Sequence, residues 1–414
     1  MGCSSSAPGT RSTSVKGSFH DRYCLREKIG AGNFAQVYAA TRIGNKPSLE
    51  KAVKVVEFLD AAKENCIAAA RSEVAACEVA ARHENCVQFF EVFYCDFCCF
   101  MVMERCECDL RVHLKQMRQA LTERSLGYIF LQMLRGIAHV HTMGVVHRNV
   151  KPDNFLMGRS GTVKLCDFGL ATLLPKGKRL HGICGTAPFM SPEMLKGYRY
   201  NEKVDVWSFA VTSYCLLFGE FPYSSKFGEF THSLSVNRDQ SMKLAILHGK
   251  HATFEPVDPS LTSTSYGESV LSFVKTLLNR QADLRCSADD ALRLEYMVAV
   301  TDNRHAPDDA LPSLQVTLRY AQQNGAFEKR DLTKTTALDT RLTKAQFEAH
   351  GVRPSFSKQD SGVKQNKGVK LESRVPLEKC SDGAMQEYDD ASTDLGSGIS
   401  RTSSTAQLPA KFSL

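Results

Sequence analysis

The chain has 414 residues, 43% hydrophobic and 23% charged, with a formal net charge of +7. This is the make-up of a soluble globular protein with room for one large or two ordinary domains plus tails. No apolar run reaches the roughly 18 residues that a membrane-spanning helix needs, the N-terminus lacks the apolar centre of a secretory signal, and the positive charge is spread along the chain, which argues against a nucleic-acid partner.

Residues 1–20 are small, polar and rich in Ser, Gly and Thr, and read as a leader without a fold of its own. Its start, MGCSSS, fits N-myristoylation at Gly2, with Ser6 at the favoured position and Cys3 beside it as a palmitoylation candidate. An unmodified tip is the plain alternative. One acyl chain holds a protein only marginally and two hold it firmly. The expected location is therefore the cytoplasm, at the cytoplasmic face of a membrane.

From Tyr23 to about Tyr296, apolar runs and turns alternate without a low-complexity break. Strands are predicted over 23–30, 35–43 and 51–59, the second and third separated by the turn-rich GNKPS. An Ala-rich helix is expected over 61–82, then strands around 88–94 and 99–104. Beyond Asp109 the pattern is mainly helical; the run LGYIFLQMLRGIAHVHTMG closes on Gly144, as a helix stop should. Strands followed by helices predict an α+β, two-lobed domain over 21–300, with lobes 21–103 and 104–300. From Thr301 apolar content falls, and 301–414 reads as a largely disordered tail with a short helix between Ser313 and His350.

Fifteen cysteines scattered along a large chain without a secretory leader read as reduced cytosolic thiols. Cys95 with Cys98 and Cys99, and Cys106 with Cys108, raise the question of zinc. Their flanks alternate like strands, and no second pair sits at finger spacing.

The chemistry-bearing segments come in order. IGAGNFAQV covers Ile29, Gly30, Ala31, Gly32, Asn33, Phe34, Ala35, Gln36 and Val37. Gly30 and Gly32 fit the first two glycines of a phosphate-covering hairpin, where no Cβ blocks the approach of backbone amides; Ala35 takes the third position. Alone, an ordinary hairpin turn explains it as well. KAVK places Lys54 on the following strand, where a lone lysine is usually solvated surface. VVHRNVKPDNFL at 145–156, CDFG at 166–169 and GTAPFMSPE at 185–193 change that reading.

With these motifs, the chain from Tyr23 to Met297 resembles the protein-kinase superfamily of serine/threonine type, nearest in look to calcium/calmodulin- and calcium-dependent kinases. The resemblance implies ATP and Mg2+ as cofactors and a protein substrate or signalling partner. Asp167 would chelate magnesium, with Asn154 as second metal ligand; both offer the oxygen that a hard cation requires. Lys54 would hold the α- and β-phosphates and pair with Glu73 (Glu78 is the rival), and Lys151 would neutralise the moving phosphoryl group. Met103 would be the gatekeeper, Glu104 and Cys106 the hinge groups facing adenine, and Ile29, Val37, Ala52 and Leu156 the apolar lining. The resemblance also implies that Asp205, on the helix carrying Trp207, anchors the catalytic loop beside Arg148. It pairs Glu193 with Arg285, and stacks His147 with Phe168, which Gly169 follows.

Asn149 departs from this pattern. The family has an aspartate there to accept the substrate hydroxyl's proton, and asparagine can hydrogen-bond that hydroxyl but cannot take its proton. Loss of such help costs about 10²–10⁴-fold. From a kinase turnover of roughly 1–100 per second, that leaves between about one event per second and one in hours. Three readings stay open: an ATP-binding pseudokinase serving as scaffold or allosteric partner, a slow but real kinase, and an interaction module that needs no nucleotide. Between Thr172 and Thr186 the activation segment has no Ser, Thr or Tyr, and Gly182 stands where many relatives carry a phosphate. The tail contains no EF-hand loop; DDASTDLGSG at 389–398 lacks the central glycine and closing glutamate, so direct calcium binding is not expected.

Overall fold

The computed structural model describes residues 17–32, 35–44, 49–117, 123–218, 220–223, 238–249, 252–254, 268–302, 341–342 and 345. All lie in the first of the chain's two units, Met1–Ser355. Gly2, Cys3, Asn33, Phe34 and all of the tail except 301–302, 341–342 and 345 lie outside them.

The first lobe is a five-stranded antiparallel sheet of β1 (Tyr23–Ala31), β2 (Ala35–Arg42), β3 (Lys51–Glu57), β4 (Phe89–Tyr94) and β5 (Cys98–Glu104), in the order β1-β2-β3-β5-β4. Successive side chains on a strand face opposite ways, and β5 buries both sets. Cys99 and Met101 join the core under helix α1 (Lys63–Ala80), while Cys98, Phe100 and Val102 join a second core on the outer face. A sheet covered on both sides explains why CCFMVME is apolar throughout rather than alternating.

The outer core starts earlier than the sequence boundary at 21. Phe19–Asp21 forms a 3-10 turn capped by Ser18, and the Phe19 ring stacks on Phe100 at 4.3 Å. Leu342, only 2% exposed, closes the same core, and Arg341 reaches Glu57 at 3.5 Å. Residues 341, 342 and 345 are helical; the rest of the helix expected between 313 and 350 lies outside the described residues.

Helix α1 is shorter than the 61–82 read from composition. Asp60–Ala62 is a separate 3-10 turn, because Ala62 leaves the helical region and offers no capping side chain. Its buried face is mostly small, Ala70, Val74, Ala76, Cys77 and Ala80, with Glu73 set among them.

The second lobe opens with β6 (Cys108–Asp109), α2 (Leu110–Met117) and α3 (Glu123–Thr142), which ends at Gly144 in the left-handed region. Strands β7 (Val145–Val146), β8 (Phe155–Met157), β9 (Val163–Leu165) and β10 (Thr172–Leu173) make two small sheets, β6-β8-β9 and β10-β7. Then come α4 (Pro192–Leu195), α5 (Lys203–Phe218), α6 (Arg238–His248), α7 (Glu268–Leu277), α8 (Ala288–Ala291) and α9 (Glu295–Thr301). Every residue of α5 from Val204 to Phe218 is buried, as befits a helix apolar on all sides.

The lobes meet where α3 passes under the loop before β4. A Cβ on Gly136 would come 2.5 Å from Asn85 O, and that oxygen is already pinned by the Leu165 N–H at 2.8 Å. Gly136→Ala should therefore destabilise the fold by about 1–3 kcal/mol through forced backbone displacement, outweighing the gain of up to about 1 kcal/mol in helix propensity. A urea melt checks it; an unchanged or raised midpoint would show that the loop yields without cost.

Candidate active site

The β1–β2 hairpin is closed by the Gly32 N–H donating to Ala35 O at 2.8 Å. Gly30 faces Val37 across the hairpin, where a Cβ would already sit 3.2 Å from Val37 Cβ. Register carries the hairpin into the cleft: Val37 pairs with Lys54, and Ala52 pairs with the partly buried Met103. Ala52 and Gln36 are buried, while Ile29, Ala31, Val37 and Leu156 are half-buried. Glu104 commits its N–H to Gln88 O (2.8 Å), and its carboxylate meets Lys164 at 3.1 Å. Cys106 beside it is half-buried; burial, then the Glu104 carboxylate, pushes its thiol up to about 12, so it stays neutral.

Lys54 is the electrostatic centre. Its Nζ lies 2.5 Å from Glu73 Oε1 and 2.8 Å from Asp167 Oδ1. Burial alone would lower the lysine's pKa, but the Asp167 and Glu73 carboxylates more than offset it and hold the pKa above the ordinary value. Glu73, and not its rival Glu78, is thus the partner, because it lies on the buried face of α1.

The loop from His147 to Asn154 hangs on Asp205, which is wholly buried at the start of α5. Its carboxylate accepts the His147 and Arg148 N–H groups, each at 2.7 Å, and lies 2.8 Å from His141 Nε2. Burial opposes its charge; the hydrogen bond and charge from His141, with His147, keep its pKa below the usual range. Arg148 is thereby held at φ 62 and Asp167 adopts φ 63, the left-handed region that non-glycine residues rarely enter. The His147 ring packs edge-on against Phe168 at 5.1 Å, and Gly169 follows where a Cβ would come within 3.5 Å of the Asp167 and Glu73 carboxylates.

Asn154 Nδ2 donates to Asn149 O at 2.8 Å, while its Oδ1 is buried and accepts no hydrogen bond among the described residues. An acceptor oxygen left this way, on a residue whose backbone O holds Cys166 next to the partly exposed Asp167, suits a hard cation. Lys151 is half-buried and begins the turn Pro152–Asn154. Asn149 Oδ1 accepts the Thr186 hydroxyl at 3.0 Å. The activation segment is pinned by Leu180 and Tyr200, which exchange backbone hydrogen bonds (2.8 and 2.9 Å), and by the Tyr200 hydroxyl donating to Gly182 O at 3.0 Å. Below it, Arg285 grips Glu193 with two bonds of 2.7 and 3.1 Å and lies over the Trp207 ring.

The family model for the protein kinase domain matches residues 23–297. The chain belongs to the protein kinase family. Its relatives are serine/threonine kinases. It is 32% identical to an Aurora kinase of Eremothecium gossypii over 212 residues, 51% of this chain and 57% of that one. It is 30% identical to CDPK-related kinase 8 of Arabidopsis thaliana over 337 residues (80% and 53%), and 28% identical to a CDPK-related protein kinase of Daucus carota over 326 (78% and 51%). The chain spans about half the length of these relatives.

In this kinase domain Lys54, Glu73 and Asp167 meet directly, Asn149 and Asn154 are joined within the loop that follows His147 and Arg148, and Asn33 and Phe34 lie outside the described residues. Three neighbours escaped sequence reading. His141 is the last residue but one of α3 and looked like any exposed helix histidine. Thr186 was passed over as part of GTAPF, and Tyr200 lies well beyond the segment it pins.

The two kinds of ion pair in the second lobe make a comparison. Arg285→Leu leaves the buried Glu193 carboxylate uncompensated and should cost about 3–5 kcal/mol. Arg293→Leu, removing exposed pairs with Asp289 and Asp290, should cost less than about 1 kcal/mol. Denaturant melts of both variants check this; equal losses would contradict it.

Proposed function

We propose that the chain binds Mg-ATP in the cleft around Lys54 and serves as a pseudokinase, a scaffold or allosteric partner tethered to the cytoplasmic face of a membrane by its acylated leader. The observation that carries the reading is the contrast within one site. Lys54 is braced by Glu73 and Asp167, and Asn154 has an open buried oxygen, while Asn149 supplies an amide where a proton acceptor belongs.

The residues divide the work. Lys54 offers a fixed positive charge to the α- and β-phosphates, and Gly30 and Gly32 let the hairpin backbone lie close over them. Asn154 Oδ1 and the Asp167 carboxylate would hold magnesium, which when bound supplies positive charge against the phosphates. Ala52, Ile29, Val37 and Leu156 would line the purine, with the Glu104 carbonyl and the Cys106 backbone at its edge. Lys151 would face the transferred group. Asn149 can orient a hydroxyl but leaves its proton in place.

The second reading, a slow serine/threonine kinase, is favoured by one contact: Asn149 Oδ1 already accepts a hydroxyl, that of Thr186. It would act on protein hydroxyls with electrostatic help alone. In either case activity would not be switched by ordinary activation-loop phosphorylation, since no Ser, Thr or Tyr lies between Thr172 and Thr186 to carry the phosphate.

One experiment separates the readings. Mg-ATP at about a hundred-fold excess over its dissociation constant should stabilise the protein by about 2.7 kcal/mol, and Lys54→Met or Asp167→Ala should weaken that. Asn149→Asp should raise γ-phosphate transfer by about 10²-fold or more with little change in ATP affinity. No thermal shift with saturating Mg-ATP would leave only the nucleotide-independent module. An ordinary kinase turnover in the wild type would remove the pseudokinase reading. An inert Asn149→Asp that still binds Mg-ATP would move the defect elsewhere.

The tether has its own test. Labelled myristate should enter the wild type and not Gly2→Ala, and Cys3→Ser should become partly soluble. A Gly2→Ala protein that stayed on membranes unchanged would assign the tether to another element.

A further inference from the structure

The β4–β5 hairpin turns through Asp96 and Phe97, with a cysteine on each side. The Cys95 N–H donates to Cys98 O at 2.9 Å, and Cys95 Sγ lies 3.2 Å from Cys98 Sγ. The two thiols differ in access: Cys95 is exposed, whereas Cys98 is fully buried in the outer core. The turn is also held from outside, since Phe97 O accepts the Phe58 N–H at 2.7 Å, just beyond the strand that carries Lys54.

We propose that Cys95 and Cys98 form a redox-active dithiol, a reversible modification site that small disulfides of the glutathione class oxidise to an intramolecular disulfide. In the first step the Cys95 thiolate attacks one sulfur of the small disulfide, the old S–S bond breaks, and one small thiolate leaves. Cys98 then gives up its proton and attacks Cys95 Sγ, expelling the second small thiolate. Both thiolates end protonated, so a dithiol and one small disulfide become a protein disulfide and two small thiols.

The electrostatics assign the order. A hydrogen bond from the Cys98 thiol, with the Phe97 and Cys98 N–H groups, lowers the Cys95 thiol to about 6 against burial and the Asp96 charge. The same contact, burial and the neighbouring negative groups, Glu57 among them, push Cys98 up. Cys95 therefore ionises first, and capping it removes the charge that keeps Cys98 protonated. Greater thiolate content is largely offset by lower nucleophilicity, leaving only a several-fold rate advantage over an ordinary thiol. Product identity is thus the better readout than rate.

The test treats the full chain with oxidised glutathione, alkylates the remaining thiols and maps peptides by mass. The wild-type peptide spanning 95–98 should lose two hydrogens, escape alkylation at both cysteines together, and recover both with dithiothreitol. Cys98→Ala should instead retain glutathione on Cys95, at least ten times more than the wild type. Cys95→Ser, at an exposed position, should leave the Cys98 thiol reduced. The proposal is overturned if the wild type holds a glutathione adduct on Cys95 as Cys98→Ala does, if both thiols stay alkylatable, or if either cysteine bonds to a third instead. Should Cys98→Ala not fold, the wild-type and Cys95→Ser maps still decide.

Discussion

A buried carboxylate with no counter-charge would cost several kcal/mol, and the second lobe is organised so that Asp205 never meets that cost. Two consecutive backbone N–H groups, from His147 and Arg148, must point at it. That demand turns the chain through an unfavourable backbone conformation at Arg148 and aims Asn149 at Thr186. The loop's next contacts follow: Asn154 reaches back to Asn149 O, and Cys166 donates to Asn154 O at 2.9 Å, so the segment bearing Asp167 is registered against the same loop. One carboxylate at the head of α5 thereby places residues that lie far from it in the sequence.

Lys54 and Glu73 rest on one support, whereas Asn149 shares the Asp205-anchored loop with Asn154 and, through it, with the segment bearing Asp167. Lys54 and Glu73 come from the first lobe, through β-sheet register and the small-residue face of α1. Asn149 depends on the Asp205 anchor. A change from a carboxylate to an amide at 149 alters neither support, because the side chains are nearly the same shape. The Lys54–Glu73 pair and the contacts of Asn154 and Cys166 on the loop can therefore coexist with an amide at 149.

Much of this was legible from sequence because it is local or carried by motif. The strands show as apolar runs between turn residues, Gly144 marks the end of α3, and the family resemblance put Glu73 opposite Lys54, with Glu78 as rival. What escaped the sequence depends on contacts between distant segments. The start of α1 moved to Lys63 because Ala62 breaks the helix, which alanine's own propensity would not suggest. Phe19 and His20 looked like the end of a polar leader, yet their burial is decided by the outer face of β5. Tyr200 and Leu342 carry no local signal at all: one meets Gly182 and the other meets a sheet more than two hundred residues earlier in the chain.

Phe19 and Leu342 share that outer core, while Lys54 faces the opposite side of the sheet. Phe19, just after the leader, and Leu342, within the tail, are thus both held on the back of the first lobe. If Gly2 is anchored in a bilayer, the residues between it and Ser18 span at most about 55 Å even when fully drawn out. The anchor would then pull on the back of the first lobe, the face of the sheet opposite Lys54.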